Sequence, residues 1–176
     1  ESFDLAPAAA RVRSDLFGSY ARSLPFTLVD EQALLGSDAY QGLGSDGITL
    51  LPAKDMTLPS GYLPVSLDDR KGVKELISRF PEVQGFLWAE VAYTLAKKGD
   101  FMGVEIARMR ADLTITVFDR KGRGTLRHTE NAMDETDIRI GAIGALRTAD
   151  IASAADRATR RASAKMAQWL EDRNSR

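Results

Sequence analysis

The sequence predicts a mixed α/β (α+β) fold: an antiparallel-rich mixed sheet with long central meander strands, and helices packed on it that include a long C-terminal helix. Three observations carry this. Residues 103–119 read as one long strand, in which residues 107–117 alternate apolar and polar side chains with a period of two. Turn signals on either side, Lys97-Lys98-Gly99-Asp100 and Asp119-Arg120-Lys121-Gly122, fold residues 84–131 into a three-strand antiparallel meander. From Ala149 onward, Ile151, Ala155, Ala158, Ala162, Met166 and Trp169 draw a narrow helical stripe, whose small Ala side chains let a helix lie close on a sheet.

The other elements follow in order. Between Leu5 and Ser23, Ala9, Val12, Leu16 and Tyr20 recur at helical spacing, with Pro7 suited to a first turn and Pro25 as a stop. Residues 26–30 (Phe-Thr-Leu-Val-Asp) read as a short strand. Residues 31–69 are punctuated by Gly36, Gly42, Gly44, Gly47, Pro52, Pro59, Gly61 and Pro64, the pattern of a loop-rich insertion with a short strand at 48–51 and either a second strand or an extended loop at 62–67. Asp68 and Asp69 open a helix in which Val73, Leu76, Ile77 and Phe80 share a face, and Pro81 closes it.

In the meander, the first strand spans 84–98. In the second, Ala107, Met109, Ala111, Leu113, Ile115 and Val117 take one face, and Arg108, Arg110, Asp112, Thr114 and Thr116 the other. The third covers 124–131. Residues 138–146, apolar and Gly-rich, read as a last short strand or a loop. The whole, residues 1–176, is read as a single domain.

Composition narrows the function. A chain of 176 residues buries roughly 70% of its unfolded surface and needs no staple. Net charge is −1, without the basic excess of a nucleic-acid binder. There is no Cys, which removes thiol chemistry, and a single His, which removes multi-histidine metal sites within one chain. No apolar run reaches the ~20 residues of a membrane-spanning helix. Glu1 is not a start residue, which points to a trimmed or processed form and leaves room for a signal peptide and a lipid-anchor Cys upstream.

Candidate chemistry is sparse. His128, between Arg127 and Thr129 in an alternating strand, lacks a nearby nucleophile or orienting acid and reads as structural or solvated; a hydrolase or small-ligand binder built on it is the weakest reading. Asp134, Glu135 and Asp137 form an acidic cluster without the Gly and closing Glu of a calcium loop, hence a solvated turn. Gly42-x-Gly44-x-x-Gly47 has the bare form of a dinucleotide fingerprint but opens no helix. Arg157, Arg160 and Arg161, with Arg147 upstream, read as a solvated helix face, diluted by Asp150, Asp156, Glu171 and Asp172. No catalytic residue, metal or cofactor is expected. Two apolar stretches read first as core and, if exposed, as partner surfaces: Phe86 and Trp88 in the first strand, and Ile143 and Leu146 after the last.

The element order, with residues 85–91 (Gly-Phe-Leu-Trp-Ala-Glu-Val) opening one strand and Val117-Phe118-Asp119 ending the next before the Gly122 turn, resembles the bacterial envelope lipoprotein superfamily of TolB N-terminal domain, CsgG and LpoB type. That resemblance implies a non-enzymatic accessory that binds an envelope protein partner. It implies a periplasmic location, with outer-membrane attachment by an N-terminal lipid anchor not present in this chain. A structural subunit of a secretion or outer-membrane assembly, self-associating as a homo-oligomer, is the alternative.

Overall fold

The computed structural model describes residues 4–44, 56–63, 70–141 and 148–175. Its contacts group into two compact units. The first contains residues 1–25, 90–114 and 129–176, and the second residues 26–89 and 115–128. The long strands run through both.

The sheet is antiparallel and mixed with helices, as the sequence predicts. Strands β1 (Gly85–Phe101), β2 (Val104–Asp119) and β3 (Gly124–Met133) lie in sequence order, and β4 (Ile138–Gly141) pairs with β2. β4 faces the start of β2, with Val104 opposite Gly141 and Ala107 opposite Ile138. The Asp134 N–H donates to the Met109 carbonyl at 2.8 Å. Between those two pairings β2 advances two residues while the facing chain advances four. The surplus bulges out as residues 134–137. The interrupted edge β3–β4 therefore runs along all of β2.

β1 runs on to Phe101, through the Lys97-Lys98-Gly99-Asp100 stretch read as a turn. The reversal is made instead by Met102 and Gly103, with φ of 51° and 77°. A two-residue hairpin loop needs positive φ to match the strand twist, and Gly103 supplies half of it freely.

In the first unit, α1 (Ala6–Asp15), a π-helical turn (Leu16–Tyr20) and α2 (Ala21–Ser23) make one nearly continuous rod packed along α6 (Thr148–Asn174). The expected α6 stripe is buried at Ile151, Ala155, Ala158, Ala162 and Met166, while Trp169 is only half-buried. The buried face is wider than the stripe, because Ala154, Thr159, Ser163 and Leu170 join it. Tyr93 of β1 donates to Thr159 Oγ1 at 2.7 Å, and Thr159 donates back to the Ala155 carbonyl. The odd-numbered β2 residues Ala107, Met109, Ala111 and Leu113 are buried, as their period predicts. On the opposite set, Thr114 is buried as well and hydrogen-bonds Thr129 at 2.9 Å.

In the second unit, residues 26–30 form no strand. Asp30 caps a helix instead: its carboxylate accepts the Ala33 N–H at 2.8 Å and opens α3 (Glu31–Leu35). Ser37 caps α4 (Asp38–Gln41) in the same way. A 3-10 turn (Gly42–Gly44) follows, and α5 (Arg70–Ser78) comes later. Within the segment expected to be loop-rich, α3 and α4 form because N-cap side chains compensate for their poor length. Leu43, Leu76 and Phe80 form their core, with Leu34, Tyr40, Leu63, Val83 and Phe86 packed around it. The strand expected at 48–51 and Asp68 and Asp69 lie outside the described residues. Tyr62 and Leu63, from the segment read as a strand or an extended loop at 62–67, are irregular, and residues 64–67 lie outside the described residues.

Gly85 opens β1 where the chain leaves no room for a side chain. A Cβ there would sit 2.5 Å from the Phe118 carbonyl oxygen. Asp119 closes β2: its carboxylate accepts the backbone N–H groups of Lys121 (2.8 Å) and Arg123 (2.9 Å). Gly122 takes φ 69° in that turn. Arg120 donates to the carbonyls of Phe80, Pro81 and Val83, tying down the segment after α5.

Candidate functional site

Two places in the first unit gather polar or apolar groups that the sequence alone kept apart. The first is the bulge at residues 134–137. Asp134 is buried and receives Nε and NH2 of Arg157 on α6, at 3.0 and 2.7 Å. Burial alone would raise its carboxyl, but the guanidinium overrides that and holds it below the ordinary carboxylate value. Glu135 pairs with Arg161 at 2.7 Å, and Asp137 with Arg108 at 2.6 Å and Lys98 at 3.2 Å. Arg160 pairs with Asp156, which also holds Arg11 of α1 at 2.8 Å.

The acidic cluster and the basic helix face, both read as solvated, are thus largely one structure. The carboxylates of the bulge are ligands for arginines one helix away. Arg147 lies outside the described residues. Among the described residues no group of three or more acidic, His or Cys side chains is arranged to hold a metal ion.

The second place is the π-helical turn. The Ala21 N–H bonds the Leu16 carbonyl, five residues back, so residues five apart come onto one face. Asp15 and Tyr20 are such a pair. Both reach Ser163 of α6: the Tyr20 hydroxyl donates to Ser163 Oγ at 2.5 Å, and Ser163 Oγ donates to Asp15 Oδ2 at 2.5 Å. Burial raises the Tyr20 phenol well above its usual value, so it stays a donor. This chain is enclosed and interlocks two helices.

The residues expected to form partner surfaces divide. Phe86 is half-buried and belongs to the Leu43–Leu76–Phe80 cluster. Leu43 of the 3-10 turn and Leu76 of α5 belong to the same cluster. Trp88 is half-buried. Ile143 and Leu146 lie outside the described residues. His128 is half-buried in β3. Gly42 and Gly44 form the 3-10 turn after α4, and Gly47 lies outside the described residues.

Among the described residues the large apolar side chains most open to solvent are others: Phe26, Val29, Met133 and, above all, Met102 at 90% exposure. The signal for Met102 was present in the sequence: a Met stands before Gly between two long strands, where the turn favours Asn. Gly99, three residues earlier, offers a competing turn signal. Among the described residues no helix is long and apolar enough to cross a membrane.

The fold and these sites define an α+β protein with a long-stranded antiparallel sheet, clamped by arginine–carboxylate pairs to one long helix. Comparison with protein-family models, with curated proteins and with solved structures gives no match.

Proposed function

We propose that this chain is a non-enzymatic accessory of the bacterial cell envelope that works as a protein-interaction module. The observation that carries the interaction role is Met102. It is 90% exposed at the hairpin tip and takes a φ of 51°, a conformation that costs a side chain of this kind about 1 kcal/mol or more. An exposed thioether and a strained backbone both oppose stability, and such outliers point to a contact surface. The non-enzymatic part is supported by where the ionisable groups go. Asp15, Asp134, Asp137 and Asp156 are all engaged with hydroxyl or cationic partners inside the fold. The periplasmic, lipid-anchored setting rests on the resemblance of the strand order and of the Val117-Phe118-Asp119 turn to those of the envelope superfamily.

The test uses the wild-type chain and Met102→Asn as paired baits in a bacterial envelope extract. Wild type should retain a defined protein that Met102→Asn loses, with both baits equally folded. Identical capture by the two would remove the support for the tip as the contact.

A second reading, a structural subunit of a larger assembly, is favoured by the length of β1. It has 17 residues and pairs with β2 alone among the described strands.

A further inference from the structure

We infer that β1 joins two copies of this chain edge to edge, antiparallel about a twofold axis at Thr94. The inference does not depend on the envelope setting. Among the described strands β1 is bonded only to β2, and no described strand lies along its outer edge. Natural edge strands are usually blunted by charge, proline or a bulge. Residues 91–96, Val-Ala-Tyr-Thr-Leu-Ala, carry no charge, no Pro and no Gly. Ala92 and Thr94 are exposed, whereas Tyr93 is anchored to Thr159 beneath the sheet.

The charges that flank this run select the occupant. Glu90 stands at one end and Lys97 and Lys98 at the other. A twofold axis normal to the sheet pairs residues of the same face and reverses the strand direction. With Thr94 on the axis, Glu90 meets Lys98 of the second copy at both ends. Ala92 meets Ala96, and Tyr93 meets Leu95. Sliding the register by two residues sets Glu90 against Ala96 or Asp100 instead. An in-register parallel pairing would stack Glu90 on Glu90. Opposite charges directly across a ladder stabilise it and like charges weaken it. The strand is therefore complementary to itself in one direction and one register. Lys98, about half-exposed, already touches Asp137 at 3.2 Å and keeps further donors for a second carboxylate.

Sedimentation of the purified chain tests this. Wild type should form dimers, and Thr94→Lys, which sets two ammonium groups together at the axis, should be monomeric, with the melting temperature of wild type when both are diluted to where wild type is monomeric too. Glu90→Lys and Lys98→Glu should each dimerise about tenfold more weakly alone. Mixed together, they should form a heterodimer. The ammonium introduced at position 90 of one chain then faces the carboxylate introduced at position 98 of the other, and the native pair is kept at the second end. A wild-type chain that stays monomeric up to about 100 μM overturns the inference. So does a dimer indifferent to Thr94→Lys, or a monomer whose β1 edge captures an extended segment of a different protein.

Discussion

The Asp134 carboxylate is 2% exposed and lies 2.7 Å from NH2 of Arg157, which reaches it from the long helix α6. The contact joins the bulge in the sheet edge to the helix that covers the sheet. Burying a carboxylate is costly unless a partner satisfies it. Removing the partner is therefore worse than removing the pair. Arg157→Ala should destabilise the fold by about 2–3 kcal/mol, and Asp134→Asn with Arg157→Ala by less than the single change. Urea denaturation of the two variants decides it. Equal losses would show that Asp134 reaches water without Arg157.

The chain of hydrogen bonds Tyr20–Ser163–Asp15 makes a second, independent prediction. Ser163→Ala removes the hydroxyl that links the other two and leaves the buried phenol with its weaker contact to the Ser163 carbonyl at 3.2 Å. The expected cost is about 1–3 kcal/mol. Tyr20→Phe should cost less, because Ser163 keeps its bond to Asp15. A larger loss for Tyr20→Phe would mean that the phenol, rather than the serine, is the keystone.

Gly85→Ala should destabilise the second unit. Its Cβ would meet the Phe118 carbonyl, which is backbone and cannot rotate away. Overpacking of this kind costs about 1–3 kcal/mol. Limited proteolysis should cut the second unit of this variant faster than that of wild type. Unchanged proteolysis would mean that β1 and β2 separate there without penalty.

Met102→Asn should do the reverse. Asn tolerates positive φ better than Met, and no buried contact is lost at a residue 90% exposed. A gain of a few tenths to about 1 kcal/mol is expected, read as a higher melting temperature. A loss of stability would show that Met102 packs within the fold rather than serving a surface.

Acid should weaken the fold in a defined window. Arg11 lowers the Asp156 carboxyl, Arg108 that of Asp137 and Arg161 that of Glu135, and the Arg157 pair outweighs burial at Asp134. A depressed folded-state pKa contributes stability that is present above the unfolded value, about 4, and is lost as pH falls through the folded value. Thermal midpoints should stay level from neutral pH down to about 5 and fall below about 4. Asp134→Asn should flatten that fall. A midpoint that holds level down to about pH 2 would contradict the role of these pairs.

The period-two run at 107–117 and the Ala stripe of α6 are legible because the apolar side of each is buried along most of its length. Residues 26–30 were not, because a run of β-formers with an Asp at its end serves equally as the lead into a capped helix. The hairpin tip was misplaced because Gly99 and Gly103 both offer a turn, and only the pairing of two long strands picks between them.

What the sequence determined by itself is local and periodic: long antiparallel strands, a small-residue helix, turns closed by Gly and Asp119. These follow from backbone geometry and from which side of an element faces water. The tertiary structure decided which distant charges meet. Asp134 and Arg157 each look solvated in their own segment, and only the bulge between β3 and β4 brings the carboxylate under the helix. Sequence periodicity reports one element's faces, whereas an ion pair depends on the register between two.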